Sequence, residues 1–264
     1  MTRAAFAMAA AFAAAALAVI VSPNPAAAER LVSSLSSHRV LITPNFTGAE
    51  LVLFGTVERD SASQPRRGGY DIVATVSGPR ETLVVRHKER MFGIWANADS
   101  RTFVQVPSYL ATLSTKPAEE IATIDVLRRL QIGLRRTLLP QEIGPDTADV
   151  QREDPFRLAF LRLKQSRELY VEAPNAVTFI TPILFRATIP LPAGAPIGNY
   201  EVELKLFADG ALITRGGDAF EIVKFGFEQF VAGSALNHGL LYGLATAMMA
   251  LLTGWLASVV FRKD

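Results

Sequence analysis

The stretch GNYEVELKLFADG, Gly198–Gly210, decides what kind of fold this sequence makes. Tyr200, Val202, Leu204 and Leu206 alternate with Glu201, Glu203 and Lys205. Successive side chains of a strand point to opposite faces, so a period of two predicts one apolar face that is buried and one charged face that is wet. Asp209 and Gly210 follow, and both residue types accept the positive φ of a type I′ turn. The chain is therefore expected to return as a hairpin through Ala211 to Thr214, with Phe220 to Val223 making a further strand.

Toward the N-terminus the same grammar recurs in short runs: Val40 to Ile42, Glu50 to Val57, Tyr70 to Val76, Leu83 to Arg86 and Thr102 to Val106. Pro44, Gly48, Gly68, Gly69, Gly78 and Pro79 punctuate them, and Arg59 to Gly69 reads as a polar loop. β-branched and aromatic residues between such breaks predict antiparallel β-structure. The period changes in the middle. After Pro117, Glu119 and Glu120 precede Ile121, Ile124, Leu127, Leu134 and Leu138, and Arg128 to Arg136 carries positive charge. Apolar spacings of three, four and seven predict an amphipathic helix whose acidic start and basic end complement its dipole. A second helix is expected from Asp154 as N-cap and Pro155 as first helical residue, with Phe156, Phe160 and Leu163 on one face. Pro140 to Asp149 reads as the loop between them. The expected fold is mainly β: a β-sandwich of immunoglobulin-like kind interrupted by a helical pair, plus one C-terminal transmembrane helix. In residue ranges this gives 29–115 β-rich, 116–173 helical and 174–228 β-rich; two small β domains bracketing the helices are the alternative.

Both ends of the chain bear on its location. Arg3 is followed by an uncharged, Ala-rich run from Ala4 to Val21, then Pro23 and Pro25, then Ala26, Ala27 and Ala28. That is the pattern of a cleaved signal peptide over 1–28, with cleavage before Glu29. Between Glu228 and Arg262 there is no charged side chain, and Gly239 to Val260 offers an apolar run long enough to cross a hydrocarbon core of about 30 Å. The transmembrane helix is placed at 235–261, with Tyr242 and Trp255 as interfacial aromatics and Arg262 and Lys263 in a tail of 262–264. A buried core helix of a soluble protein fits neither that length nor those flanks. Export of the N-terminus and the positive-inside rule agree on a periplasmic body and a cytoplasmic C-terminus at the bacterial inner membrane.

Composition narrows the chemistry. The sequence of 264 residues has no cysteine, which excludes disulfides, thiol catalysis, cysteine metal sites and a lipidated cysteine. A formal net charge of +2 is too small to imply nucleic acid.

Four stretches carry a family likeness: NFTGAELVLFG (Asn45–Gly55), LFRATIPLP (Leu184–Pro192), GNYEVELKLFADG and HGLLYGLATAMMALLTGWLASVVFR (His238–Arg262). With them the chain resembles an alphaproteobacterial family of transmembrane proteins of unknown function, over nearly the whole chain after residue 28. The resemblance implies topology, brings no catalytic residues, and suggests a permease of the sulfite-exporter type as partner.

Candidate functional residues are few. Gly239, Gly243, Ala247, Ala250, Gly254 and Ser258 follow one another at four, four, three, four and four residues. A stripe of small side chains lets a second helix approach closely in lipid, so self-association or another membrane protein is the implied partner. Gly and Ala are also simply common in membrane helices. Arg66, Arg67, Arg86, Lys88 and Arg90 are candidate contacts for an anion or for anionic lipid, although a solvated strand edge explains them as well. His38, His87 and His238 are isolated, no HExxH or GxSxG occurs, and Glu119/Glu120 and Glu153/Asp154 fall at helix starts. No catalytic, cofactor or metal residue is nominated, and a non-enzymatic accessory subunit is the expectation. A tethered anion-binding module is the alternative. An enzyme would need a cleft gathering Asp71, His87 and an arginine. Mass spectrometry of the protein recovered from membranes is expected to find Glu29 as the first residue; a chain starting at Met1 would overturn the cleavage.

Overall fold

The computed structural model describes residues 29–58, 69–91, 93–143, 146–149, 153–224, 235–236 and 238–260. The expected signal peptide, most of the Arg59 to Gly69 loop with Arg66 and Arg67, and the tail lie outside the described residues.

The opening stretch forms β13 (Gly198–Ala208), which returns through Asp209 and Gly210, both at positive φ (51 and 80), into β14 (Ala211–Lys224). Ala208 pairs with Ala211, so the hairpin is the two-residue turn expected. These strands sit inside a six-stranded sheet with β10 (Tyr170–Pro174), β7 (Leu110–Ser114), β4 (Asp71–Ser77) and β2 (Arg39–Ile42), in the order β10-β7-β4-β13-β14-β2. Four strands make the facing sheet: β1 (Arg30–Leu35), β3 (Gly48–Glu58), β12 (Leu184–Pro192) and β11 (Val177–Phe179), ordered β1-β3-β12-β11. Alternation then builds the core. Leu51, Leu53, Val57, Phe185, Ile189 and Leu191 from one sheet and Ile72, Val76, Val202, Leu204 and Leu206 from the other form one buried cluster.

Strand order makes this an immunoglobulin-like sandwich. The two sheets reproduce the pattern A-B-E-D over A′-G-F-C-C′-C″, in which β13 is strand F and the first β segment divides between both sheets as β1 and β2. β2 runs parallel to β14, and β10 runs parallel to β7. At the start of strand F, the buried Tyr200 donates its hydroxyl to the backbone oxygen of Pro196 at 2.7 Å. That is a tyrosine corner, the tie that fixes the crossover into strand F in this architecture. The ring stacks on Phe220, with centroids 4.9 Å apart.

A long two-stranded arm grows out of strands C and C′. Beyond Ser77 and Leu110 the ladder continues, Gly78 N donating to Tyr109 O and Ser108 N to Pro79 O, into β5 (Arg80–Met91) and β6 (Ile94–Pro107). The sequence runs Leu83 to Arg86 and Thr102 to Val106 are thus the root of one hairpin. β8 (Pro140–Ile143) and β9 (Asp146–Asp149) add to its edge, so the expected loop from Pro140 to Asp149 is a small hairpin, held by Gln141 opposite Phe103.

The first expected helix is broken. It forms α1 (Ala118–Ile121) and α2 (Ile124–Arg129), with Ala122 extended between them and Gln131 and Gly133 at positive φ after them. The cause is the patch it covers. Ala118, Ile121, Ala122, Leu127 and Ile132 form one buried cluster with Val73 and Phe207, whereas a straight helix would carry Ile132 about 16 Å beyond Ile121. The second helix, α3 (Pro155–Ser166), begins as expected, Asp154 accepting from Arg157 N at 2.8 Å. Its buried face is Arg157, Phe160, Leu161 and Lys164, so Leu163, expected inside, is exposed. Arg157 can be inside because Asp149 and the Thr137 carbonyl accept hydrogen bonds from its guanidinium.

Replacing Tyr200 with Phe keeps the ring and strips the corner of its hydrogen bond, leaving the Pro196 carbonyl without its donor. A loss of about 1–3 kcal/mol is expected in urea unfolding of the chain in detergent; an unchanged midpoint would show that the corner holds nothing.

Candidate functional site

The C-terminal apolar run is a single uninterrupted helix, α4 (Gly239–Val260). At about 1.5 Å per residue its 22 residues span about 33 Å, enough for the hydrocarbon core. Gly239–Ser258 has the length and composition of a membrane span, and none of it is buried inside the protein. Leu240 and Leu251 are 86% and 75% exposed, which water would penalise over a whole helix and lipid would not. The two threonines on the helix, Thr246 and Thr253, donate to the carbonyls of Gly243 and Met249. Their hydroxyls are thereby satisfied without solvent, as hydrocarbon requires.

At 100° per residue, Gly239, Gly243, Ala247, Ala250, Gly254 and Ser258 fall within an arc of about 100° on α4. A methyl group built on Gly239, Gly243 or Gly254 meets nothing within 4 Å. The stripe is open along its length. His238 lies just before α4, its carbonyl accepting from Tyr242 N.

The candidate cations that are described, Arg86, Lys88 and Arg90, all lie on β5 of the arm and are exposed. They line neither of the two clefts of about 750 and 760 Å³ on the body. The hypothetical gathering of Asp71 and His87 is not formed. Asp71 accepts from Thr115 and Lys116 beside the sheet, and His87 faces Glu89 at 3.6 Å and the edge of Phe156. Among the described residues, no group of three or more His, Asp or Glu side chains is arranged to hold a metal ion.

A polar cleft that the sequence did not announce lies on the supposedly wet face of β13. Its floor is Thr75, Glu201, Glu203 and Lys205, and Arg129, Leu130 and Leu138 from the helical segment form a wall. Lys205 is only 3% exposed, because α1, α2 and the chain after them cover this half of the sheet. Burial pushes its ammonium below the usual lysine range, against the opposing pull of Glu203, to which it donates. Thr75 presents a buried hydroxyl without a hydrogen-bond partner to the same cleft. Alternation correctly gave the face of Lys205. What covers that face came from residues 118–138, too far along the chain for any local signal.

An immunoglobulin-like body followed by one exposed apolar helix of membrane length defines a class of membrane proteins anchored by a C-terminal helix. The chain belongs to the family described as "Putative transmembrane protein (Alph_Pro_TM)", which matches it over residues 30–263. No curated protein and no solved structure matches the chain.

The buried lysine yields a pH test. Its folded pKa lies below the ordinary 10.5, so the unfolded chain holds that proton more tightly. The cost to folding is full below the folded value and is relieved as the pH climbs through it toward 10.5. Lys205→Met is therefore expected to raise the melting temperature at pH 7 and to lose that advantage near pH 10. A variant less stable than the parent at pH 7 would mean that the Glu203 pair outweighs burial.

Proposed function

We propose that this is a non-enzymatic protein anchored in the bacterial inner membrane by α4, with the sandwich in the periplasm and the C-terminus in the cytoplasm. Its role is that of an accessory subunit, whose helix packs against another membrane protein while the body works outside the lipid. The observation that carries this reading is the open stripe from Gly239 to Ser258, on a helix of which no part is buried against the described residues of its own chain. An anchor needs only apolar bulk. Small side chains at a spacing of four expose backbone for close packing, where dispersion and Cα–H contacts substitute for the missing hydrophobic drive. A permease of the sulfite-exporter type is the first partner to look for.

The body supports a binding rather than a chemical role. Asp71 and His87 are each engaged elsewhere, and the Lys205 cleft pairs its lysine with a carboxylate instead of aiming it at a reacting group. The anion-binding alternative loses ground because Arg86, Lys88 and Arg90 lie on an exposed arm instead of converging on a cavity.

Affinity purification from native membranes in mild detergent tests the role. The parent is expected to bring down one integral membrane partner or a second copy of itself. Gly243→Leu with Gly254→Leu is expected to reduce that recovery at least tenfold while leaving membrane insertion intact. Recovery of bare monomer from the parent, or equal recovery from the double variant, would contradict it.

A further inference from the structure

The β5–β6 arm ends in an exposed apolar tip. Ile94 and Trp95 are 69% and 70% exposed, although both lie in a well-formed ladder, Ile94 opposite Met91 and Trp95 opposite Arg90. No packing among the described residues explains them. The root of the arm is sealed: Val85 and Phe103 are in the core, and Phe103 stacks on Phe160 of α3. From Lys88 to Asn97 the described hairpin is paired only within its own two strands.

Direction and reach distinguish this tip from an ordinary loop. Ser77 at the end of β4, Leu110 at the start of β7, Gly198 at the start of β13 and the last residues of β14 all lie at one end of the six-stranded sheet, as the registers Ser77–Leu110, Ser77–Glu201 and Gly198–Ile222 require. The arm leaves the body from that end, its ladder continuous with β4 and β7. The chain leaves from the same end, since Lys224 closes β14 and α4 begins at Gly239. β5 has 12 residues and is therefore about 40 Å long, its first half packed against the body as far as Val85 and the part from Lys88 standing beyond it. The stretch 225–238 can span at most about 50 Å when fully drawn out. Tip and membrane helix can therefore reach the same lipid surface.

The chemistry of the tip suits that surface. Trp95 carries an apolar ring with one donor, the combination that settles at the headgroup level. Arg90 is its cross-strand neighbour, and Lys88 and Arg86 follow along the same strand. Glu89 lies among them, and Asp99 is set back beyond the bulge, opposite His87. Long basic side chains next to an inserted aromatic can keep their charged ends among lipid phosphates.

The geometry points to the arm tip as a second membrane contact: Ile94 and Trp95 insert at the lipid interface, and Lys88 and Arg90 meet anionic headgroups. This rests on α4 spanning the bilayer. The body is then held by two points, the helix and the arm, instead of swinging on a linker.

The sequence contains two tryptophans, Trp95 in the arm and Trp255 in α4, so each contact can be reported separately. The full chain carrying Trp255→Phe is reconstituted into phosphatidylcholine–phosphatidylglycerol vesicles containing lipids brominated near the headgroup end of the acyl chain. Trp95 emission is expected to be blue-shifted, quenched by the brominated lipid and shielded from iodide. Adding Lys88→Glu and Arg90→Glu is expected to cut the lipid quenching by at least half. Trp95 open to iodide and untouched by brominated lipid would overturn the proposal. Trp95 shielded from both would overturn it in favour of a protein contact. The companion variant Trp95→Phe reports on Trp255 alone; quenching there with none at Trp95 means the anchor holds and the arm proposal fails, whereas no quenching at Trp255 removes the anchor itself.

Discussion

Tyr200 is the residue on which the geometry of the body depends. Its hydroxyl closes the corner to Pro196, its ring stacks on Phe220 across the β13–β14 pair, and it lies 5.7 Å from Tyr109, centroid to centroid. A Cβ on Gly78 would approach Tyr200 Cε1 to 3.0 Å, so the point where β4 becomes the arm is shaped around this ring. One side chain thus couples the crossover between the sheets, the central hairpin and the root of the arm. Burial raises its hydroxyl well above the ordinary tyrosine pKa, as expected for a phenol kept as a donor inside a core.

The layers beyond that point follow from which surfaces the sandwich leaves uncovered. The even positions of β4 and β13 are consumed by the facing sheet. At one end, the odd positions meet the broken α1–α2 segment around Val73 and Phe207. Where that cover thins, the sheet keeps charge, and Lys205 can be buried only because Glu203 on the same strand and face accepts its hydrogen bond. At the arm's root, α3 supplies a comparable device. Lys164 donates to Glu81 and the Ser108 carbonyl and lies over the rings of Phe160 and Tyr170, which joins helix, arm and sheet.

Much of this was legible in local pattern. The Tyr200 to Phe207 alternation, the Asp209-Gly210 turn, the Asp154-Pro155 helix start and the long apolar run near the C-terminus each encode their structure within a few residues, so reading them needs no tertiary knowledge. The features that escaped depend on distant partners. Helical spacing from Ile121 to Leu138 was real, yet the apolar residues serve one compact patch and the chain bends to bring them there. Leu163 matched the helical period of Phe156 and Phe160, but the neighbours of α3 favour the face of Arg157 and Lys164. The arm was visible only as two short strands. Its outer half is charged on both faces, because it has no sheet to bury against. An apolar tip at Ile94 and Trp95 between charged runs was the available clue to a hairpin turn there.

An immunoglobulin-like body, an arm at the end of the sheet where β14 closes, and an apolar helix with an open stripe are the three features on which the proposed arrangement around one membrane surface rests. The proposed topology puts the body on the outer side of the inner membrane and the C-terminus in the cytoplasm. Because the chain has no cysteine, single substitutions can report on each side without background. Thr178→Cys on the exposed face of β11 and, separately, Lys263→Cys should be treated with a membrane-impermeant maleimide in cells whose outer membrane alone has been opened. Labelling at position 178 and protection at position 263 until the inner membrane is breached is the predicted result; labelling at 263 with protection at 178 would contradict the account.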